Sequence, residues 1–333
     1  MNVRIPRALS IAGSDSGGGA GIQADLKTFA ALGVHGMTAI TSITAQNTLD
    51  VIAVQDVEPG VVRAQIEAVA DDIGVDAAKT GMLHNSEIIE AVAEEIEKYG
   101  FPVVVDPVMI AKSGAALLRP DAKDTLVNRL LPLATVVTPN AMEAEAISGM
   151  RVETIEDGKS VAEKIAALGP RAVVVKGGHI LQRGGKVIDI LFHQGEFTLL
   201  EAERHETKDA HGTGCSFSSA ITAELAKGSS VPEAVGVAKD FVNRAIRFGL
   251  RIGGGHGPLN PMANLYNDAE RYSVLKSVRD AIGILEGCPE AWLLVPEVQM
   301  NVGMALSYAT NPGDVAAVDG RIVRFGRGVR AAG

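Results

Sequence analysis

The 333-residue chain has few aromatic residues, few cysteines and no excess of positive charge. Aromatic side chains make up only 4% of it, so alanine, valine, isoleucine and glycine must fill the interior, which suits close packing of helices on a sheet. The two cysteines, Cys215 and Cys288, lie far apart in sequence, which gives no disulfide framework and fits a reducing cytosol. The net charge of −9 argues against a general nucleic-acid-binding surface.

Long apolar runs are also absent. No stretch reaches the ~18 apolar residues that a membrane span needs, and the residues before Arg7 lack the apolar region of a signal peptide. We therefore expect a cytoplasmic protein whose partners are small molecules, with no nucleic acid and no membrane among them. The 47% of hydrophobic residues suffices for a full core, and the length allows one large α/β domain with a small appendage, or two domains.

Apolar runs alternate with helical segments along most of the chain. Runs such as 103–105 and 172–175 are continuously apolar, which is typical of central parallel strands. The alternation predicts right-handed βαβ units and an α/β fold with a doubly wound, mostly parallel sheet and helices on both faces. Strands are predicted at 7–12, 37–44, 51–57, 77–82, 103–107, 135–140, 172–178, 186–192 and 196–200, and helices at 22–32, 59–72, 86–99, 121–131, from Glu143, 157–168, 215–227 and 232–248.

Two further features concern the organisation of the chain. The strands at 37–44 and 51–57 are close enough for a hairpin, which predicts a small flap beside the main sheet. The glycine-rich stretch 251–260 breaks the pattern and is the best candidate for a domain boundary. A mixed-charge helix at 264–285 and a short strand at 291–295 follow. We expect a domain at 1–262 and a small α+β appendage at 263–333, which is too short for a sizeable core of its own.

The stretch 210–221 changes character at Cys215. Small and glycine residues precede Cys215, and small and apolar residues at helical spacing follow it, which predicts a glycine loop running into a helix N-terminus. Free backbone N–H groups and the helix dipole would make an anion hole there, and Gly212 and Gly214 would let a ligand approach. The dipole would also lower the pKa of the Cys215 thiol and make it a general base or a nucleophile. A glycine cap followed by an inert buried cysteine explains the pattern equally well.

Polar side chains follow several predicted strands where each strand ends: Asp106, Asn140 and Lys176, together with the glycine loop before Cys215. In open α/β sheets this edge carries the ligand site. Asp106 or Glu143 is predicted to hold Mg²⁺, directly or through water, and Lys176 to neutralise a transferring phosphoryl group. Taken singly, Lys176 is explained as a surface lysine and Glu143 as a helix N-terminal charge, so the prediction depends on the four strand ends together.

A first glycine-rich loop, 13–21, follows the first strand. It looks like a nucleotide-binding turn, but the G-x-G-x-x-G spacing is met only loosely and no Walker lysine follows. We expect instead that Asp15 and Asp25 face a small polar substrate across this loop, although Asp25 is also explained as a solvated charge in a first helical turn. Gln46 can donate and accept hydrogen bonds, which suits an aminopyrimidine or amide edge, or it is a plain turn residue.

These residues resemble those of hydroxymethylpyrimidine and hydroxymethylpyrimidine-phosphate kinases, thiamine-pathway enzymes of the ribokinase-like superfamily. The segments that carry the resemblance, in the family's order, are 12–25, 46–48, 79–83, 106–109, 112–114, 138–143, 176–179, 211–215 and 255–260. The resemblance implies a ribokinase-like fold over 7–260. It also implies ATP- and Mg²⁺-dependent phosphorylation of a hydroxymethyl group, and then of the monophosphate to the diphosphate.

The resemblance also assigns roles to individual residues. Cys215 would be the base, where most ribokinase-like sugar kinases have aspartate. The implied catalytic residues are Cys215, Lys176, Gly212, Thr213 and Gly214; the substrate-binding residues are Gly13, Asp25, Gln46, Met82 and Val108; the nucleotide- or phosphate-binding residues are Asn140, Lys176, Gly177, His211 and Thr213; and the Mg²⁺ ligands are Asp106 and Glu143. We expect a homodimer. Two other functions stay open: a pyridoxine or pyridoxal kinase of the same fold, and a regulator that senses thiamine phosphate through the C-terminal segment.

The tail, roughly 272–333, resembles the start of the thiamine-phosphate synthase domain that is fused to this kinase in some archaea. Segments 294–301 and 313–316 carry that likeness. The resemblance covers only part of the synthase domain, and no histidine occurs after His256, so we expect no synthase activity from this segment.

Overall fold

The structure, a computed structural model, describes residues 4–110, 114, 116–178, 180–309 and 311–332. It divides into two compact units between Ala263 and Asn264. The first unit holds a large sheet, and the second holds a long helix and two short hairpins. The assignment of 1–262 and 263–333 as separate domains stays a prediction. Within the described residues, no helix combines the length and the apolar character that crossing a membrane requires.

The strands are β1 Arg7–Ala12, β2 His35–Ile40, β3 Ser42–Gln46, β4 Val51–Asp56, β5 Ala77–Thr80, β6 Val103–Val105, β7 Val136–Val137, β8 Ala172–Val175, β9 Gln182–Arg183, β10 Lys186–His193, β11 Glu196–Glu203, β12 Gly303–Ala305, β13 Val315–Ala317, β14 Arg321–Phe325 and β15 Gly328–Ala332. The α-helices are α1 Gly21–Ala31, α2 Pro59–Asp72, α3 Ser86–Tyr99, α4 Ala122–Thr125, α5 Ala141–Ser148, α6 Ile155–Ala166, α7 Thr213–Ala226, α8 Val231–Arg247 and α9 Ala263–Gly287.

Among the described residues, nine strands of the first unit form one sheet. Its order is β11-β10-β8-β7-β6-β5-β1-β2, with β9 paired to β10. The strands β8, β7, β6, β5, β1 and β2 run parallel, whereas β9, β10 and β11 add antiparallel pairs at one edge. The predicted doubly wound, mostly parallel sheet is therefore confirmed.

The core lies in two layers because successive strand side chains point to opposite faces of the sheet. Val105 and Val173 belong to a buried cluster that includes side chains of α3 and α6. Val104 and Val174 belong to another cluster, which includes side chains of α7 and α8. Each fully buried valine stabilises the fold by about 1.5–3 kcal/mol. A polar residue that follows one of these strands on the same face as Val104 and Val174 therefore points towards α7.

The strand predicted at 37–44 is broken at Thr41 into β2 and β3. The backbone N–H of Thr41 donates to the carbonyl of Ala12, and its hydroxyl donates to the carbonyl of Met82 at 2.6 Å. The chain then leaves the main sheet, and β3 pairs with β4 as a separate antiparallel hairpin. The predicted flap is confirmed, although its first strand begins later than the apolar run suggests.

Several helix boundaries differ from the prediction. α3 has the predicted bounds and is capped by Asn85, whose side-chain oxygen accepts the N–H of Ile88. α5 and α6 begin two residues earlier than predicted, because Glu143 and Asp157 are the third residues of these helices, where their side chains complete capping boxes. The helix predicted at 121–131 is α4 followed by a π-helical turn, Leu126–Leu130, and a 3₁₀ turn, Leu131–Leu133.

The second unit contains α9, the hairpins β12–β13 and β14–β15, and two 3₁₀ turns among its described residues. Its small core comprises Ala291, Val295, Ile322 and Val329. The strand predicted at 291–295 is a 3₁₀ turn, Ala291–Leu293, because a short apolar run does not distinguish a strand from a helical turn.

Candidate active site

The first glycine loop is folded around the carboxylate of Asp15. Asp15 accepts hydrogen bonds from the backbone N–H groups of Gly17, Gly19 and Ala20 at 2.9, 3.0 and 2.7 Å. Burial alone would raise the pKa of Asp15, but the bonds from His211 and from the backbone outweigh it and lower the pKa below its ordinary value. Asp15 is 1% exposed, so it holds the loop together and does not face a substrate across it as predicted.

We expect Asp15→Asn to lower the free energy of unfolding by about 1–3 kcal/mol at neutral pH. In acid, this difference between the variant and the wild type should disappear. The folded-state pKa of Asp15 is lowered, so its carboxylate stabilises the protein above the ordinary aspartate pKa of about 4. That stabilisation is lost as the pH falls through the folded-state pKa. Thermal unfolding of both proteins between about pH 7 and pH 2 measures the difference. Asp72→Asn, at the exposed end of α2, is the control, and a difference that stays constant into acid contradicts the expectation.

His211 connects the first glycine loop with the flap. Its Nε2 lies 3.1 Å from Oδ2 of Asp15 and 3.3 Å from Nε2 of Gln46. A Cβ on Gly19 would lie 2.6 Å from Cδ2 of His211, so a larger residue would displace the ring. His211 was predicted to serve the nucleotide and Gln46 the substrate, and the structure places the two side chains against each other.

The second glycine loop leads into α7 through Gly212, which has a φ of +84°. A Cβ on Gly212 would overlap the carbonyl oxygen of Gly19, so the two glycine loops touch backbone to backbone. Gly212 has no side chain to cap α7, and the hydroxyl of Thr213 donates to the carbonyl of Ala210 at 2.8 Å. α7 is 14 residues long and begins without a side-chain cap, which is the arrangement that the predicted anion hole requires.

Lys176 and Asp106 meet in front of the first turn of α7. Nζ of Lys176 donates to Oδ1 of Asp106 at 3.0 Å, and the hydroxyl of Thr138 donates to the same oxygen at 3.3 Å. A Cβ added to Gly214 would lie 3.2 Å from Nζ of Lys176 and 3.4 Å from Oδ2 of Asp106. The structure therefore brings these two strand ends and the glycine loop together.

Glu143 lies close to this ion pair, at the start of α5. Its Oε2 accepts the N–H of Asn140 at 2.8 Å, and its own N–H donates to Oδ1 of Asn140 at 2.9 Å. Burial raises the pKa of Glu143 to about 7. The positive charge of Lys176 opposes this increase, and the negative charge of Asp106 adds to it. Two neighbouring carboxyl groups of this kind favour a cation between or beside them.

Asp106 and Glu143 fit part of an Mg²⁺ site. Carboxylate oxygens are the protein ligands that Mg²⁺ prefers, and the ion is commonly held by one or two carboxylates together with waters and substrate phosphates. Across the part of the chain that the structure describes, no three His, Cys, Asp or Glu side chains cluster as a metal site. The two carboxylates therefore suit a cation that also binds a phosphate, and not one that the protein holds alone.

Lys79 and Asp25, two charged residues without exposed surface, lie between the sheet and α7. Nζ of Lys79 donates to Oδ1 of Asp25 at 3.0 Å. The hydroxyls of Ser219 and Ser10 also donate to Asp25, at 2.7 and 2.6 Å. The structure corrects the prediction that Asp25 binds substrate, because its carboxylate is occupied by three internal donors and has no surface for a ligand.

Cys215 is partly buried in the first turn of α7. Burial raises the pKa of its thiol to about 11, whereas Lys79 and a hydrogen bond from the N–H of Gly21 lower it. Asp25 and Asp106 raise it further. The lowered thiol pKa predicted from the helix dipole is therefore wrong, because desolvation outweighs the favourable charges.

Three residues predicted to bind substrate, Gly13, Met82 and Val108, lie in the loops that follow β1, β5 and β6. The N–H of Gly13 donates to the carbonyl of Met82 at 3.1 Å, and a Cβ on Gly13 would lie 3.2 Å from Sδ of Met82. The N–H of Val108 donates to the carbonyl of Asp106 at 2.8 Å. Gly13 and Met82 are thus in contact, and the loop containing Val108 is attached to the residue that pairs with Lys176.

Gly177 was predicted to bind nucleotide or phosphate, and its backbone N–H is already bonded within the protein. This N–H donates to Oδ1 of Asp189 at 2.9 Å, and Oδ2 of Asp189 accepts Nζ of Lys239 from α8 at 2.6 Å. The bond holds the turn after β8 to β10 and α8. Of the segments that carry the family resemblance, Lys112, Ser113 and His179 lie outside the described residues.

Side-chain alternation explains why the charged groups face one helix. Lys79 pairs with Val104, and Asp106 and Lys176 follow Val104 and Val174 by two residues, which places them on the face that α7 covers. No role was predicted for Lys79. The signal was available, since a lysine inside a short strand of a largely buried parallel sheet needs a buried partner.

Residues 15–260 match the profile of the family described as phosphomethylpyrimidine kinase. The hydroxymethylpyrimidine/phosphomethylpyrimidine kinase of Bacillus subtilis is 50% identical over 260 residues, which cover 78% of this chain and 96% of that protein. This chain belongs to the phosphomethylpyrimidine kinase family. It is accordingly a phosphotransferase. Residues 277–333 of the kinase match a second family, thiamine-phosphate synthase ThiN, which confirms the resemblance seen in the tail.

Solved structures share the fold of the first unit. The pyridoxal kinase of B. subtilis, in complex with ADP, matches with a TM-score of 0.74 and 44% identity over 79% of this chain and 99% of that one. The phosphomethylpyrimidine kinase of Clostridium difficile matches with a TM-score of 0.64 and 47% identity over 73% and 100%. The fold is therefore common to kinases named for two different acceptors.

Proposed function

We propose that this kinase transfers the γ-phosphoryl group of ATP to 4-amino-5-hydroxymethyl-2-methylpyrimidine, and a second one to the resulting monophosphate. The observation that carries the proposal is the uncapped N-terminus of α7, where Gly214 faces Lys176 and Asp106 and Cys215 follows. A phosphoryl group at this position meets backbone N–H groups and an ammonium group together. The family supports the pyrimidine acceptor, and the ADP complex of the B. subtilis neighbour supports a nucleotide donor.

Cys215 acts in this proposal as the general base. Its thiolate removes the proton of the hydroxymethyl group as the oxygen forms a bond to the γ-phosphorus. The bond from that phosphorus to the β,γ-bridging oxygen breaks, and ADP leaves with the electron pair. The proton stays on sulfur. Burial raises the pKa of Cys215 to about 11, so the thiolate fraction, and with it the rate, increases with pH across the neutral range.

The other groups bind and orient the reactants. The N–H groups of Thr213 and Gly214 contact the equatorial oxygens of the transferring group, and Lys176 neutralises their charge. Asp106 and Glu143 would hold Mg²⁺, which when bound supplies further charge neutralisation at the phosphates. The residues assigned to the pyrimidine are Gly13, Gln46, Met82 and Val108, and those assigned to the nucleotide are Asn140 and His211.

Pyridoxal is the second candidate acceptor. The observation that favours it is the likeness of the first unit to the B. subtilis pyridoxal kinase. The contact between Gly13 and Met82 supports a flat heteroaromatic ring beside the flap and does not distinguish a pyrimidine from a pyridine.

Phosphate transfer from ATP to hydroxymethylpyrimidine, to its monophosphate and to pyridoxal tests the proposal. We expect kcat/KM for the two pyrimidines to exceed that for pyridoxal by about tenfold or more, because a site that hydrogen-bonds the aminopyrimidine edge leaves polar groups unpaired when it binds pyridoxal. Cys288→Ser serves as a control for nonspecific thiol effects. A preference for pyridoxal would overturn the assignment in favour of the second candidate.

The C-terminal segment is assigned no catalytic step. Titration calorimetry with thiamine phosphate tests the alternative that this segment senses the product, and binding without ATP turnover would favour a regulator. The homodimer and the cytoplasmic location stay predictions, and light scattering of the purified chain checks the first of them.

A further inference from the structure

The ion pair between Lys79 and Asp25 takes no part in the proposed chemistry, yet both side chains have 0% exposure. In the pair between Lys176 and Asp106, the two side chains are 15% and 2% exposed. Removing two charges from water is costly, and a buried ion pair often stabilises a fold no better than apolar residues of similar size. The location of the Lys79–Asp25 pair therefore calls for an explanation other than stability.

The Lys79–Asp25 pair connects α1 and α7, the two helices that meet beside Cys215, the proposed general base. Gly21 and Asp25 lie one turn apart on α1, and Cys215 and Ser219 lie one turn apart on α7. The backbone of Gly21 lowers the pKa of the Cys215 thiol, and one turn later the hydroxyl of Ser219 donates to Oδ1 of Asp25 at 2.7 Å. Lys79 donates to the same oxygen from β5. The first turns of α7 are thus attached to α1 and to the centre of the sheet.

We propose that Lys79 is a positioning residue for Cys215, whose buried ammonium, held by Asp25, fixes a positive charge close to the sulfur and anchors the first turns of α7. The inference rests on the proposed role of Cys215 as the base. Lys79 makes no contact with the reacting atoms in this account. It acts by orienting α7 and by favouring the thiolate over the thiol.

The charges around Cys215 are consistent with this role. Lys79 on β5 and Lys176 after β8 favour the thiolate, whereas Asp25 on α1 and Asp106 after β6 oppose it. Burial would lower the pKa of Lys79, but Asp25, then Cys215 and Asp106, outweigh it and keep the pKa above its ordinary value. Lys79 is therefore an ammonium at neutral pH.

The test uses the full chain in a Cys288→Ser background, so that Cys215 alone reacts with iodoacetamide. Lys79→Met deletes the positive charge, and Lys79→Met with Asp25→Asn deletes both charges while keeping an amide for the two serine hydroxyls. We expect Lys79→Met to raise the thiol pKa and to slow alkylation at a fixed pH below the pKa by about tenfold for each pKa unit. The double variant also removes the opposing charge of Asp25, so it should raise the thiol pKa by less. We also expect kcat to fall by a similar factor, with the KM for ATP unchanged. Lys227→Met, at the far end of α7, is the matched control and should change neither quantity.

Ser219→Ala tests the anchor without removing a charge. It deletes one hydrogen bond to Asp25, should leave the fold intact, and should lower kcat about tenfold with an unchanged KM for ATP, because the base is held less accurately. An unaltered kcat in this variant overturns the anchoring part. A folded Lys79→Met variant that is alkylated at the parental rate overturns the electrostatic part, and so does a folded double variant that is alkylated faster than the parent. Alkylation requires no turnover, so a failure of Cys215 as the base, seen as full activity in Cys215→Ala, is distinguishable from a failure of Lys79.

Discussion

Cys215→Ala is expected to lower kcat by about a hundredfold or more while leaving the KM for ATP nearly unchanged. The substitution removes the proposed base, but it keeps Thr213, Gly214 and Lys176, which are assigned to the phosphates. The sulfur is partly buried in a helix of small and apolar residues, so alanine fits the position without a charge being stranded. Steady-state kinetics with varied ATP and saturating hydroxymethylpyrimidine measure both constants.

The pH dependence makes this prediction specific for a base. Burial raises the pKa of the Cys215 thiol to about 11, so wild-type kcat should rise with pH through the neutral range, and the residual rate of the alanine variant should not. Cys215→Asp should restore part of the rate and flatten the rise, because a carboxylate is already ionised at neutral pH. Cys288→Ser is the control. Wild-type activity in Cys215→Ala, at any pH, would remove the base from the mechanism.

The arrangement of the strand ends follows from the sequence because two simple regularities determine it. Parallel strands deliver their carboxyl ends to one edge, and alternation assigns each side chain to a face. Asp106 and Lys176 therefore meet in the structure as predicted from their positions after apolar runs. The glycine loop before Cys215 was predictable for a similar reason, since a run of small residues that becomes helical has an uncapped start.

The errors concern quantities that depend on distant parts of the chain. Asp25 was expected to be a surface or substrate-facing charge, because its partners Lys79 and Ser219 are separated from it by 54 and 194 residues and no local pattern connects them. The pKa of Cys215 was expected to be low because the helix end is visible in the sequence, whereas the depth of burial that raises the pKa is not. Sequence patterns thus predict where these groups lie in the fold more reliably than they predict their burial and their bonding partners.

Gly212→Ala is expected to lower kcat by about a hundredfold and to lower the melting temperature more than a matched substitution at the other end of α7. Gly212 has a φ of +84°, and an added Cβ would overlap the carbonyl oxygen of Gly19. The overlapping atom belongs to the backbone, so the two glycine loops must separate. A displacement of about 1 Å in groups that hold the transferring phosphoryl group is enough for about a hundredfold loss of rate.

Gly228→Ala is the matched control, because Gly228 follows the same helix with a φ of +93° and has no atom within 4 Å of an added Cβ. Both substitutions carry the backbone strain of about 1–2 kcal/mol that a left-handed residue imposes, but Gly212→Ala alone forces the loops apart. Differential scanning calorimetry and kcat, measured on both variants, separate strain from displacement. Equal losses in the two variants would mean that the contact between the glycine loops does not position the phosphoryl group. A larger loss in Gly212→Ala, accompanied by faster hydrogen exchange in the loop 13–21, would assign that role to the backbone contact itself.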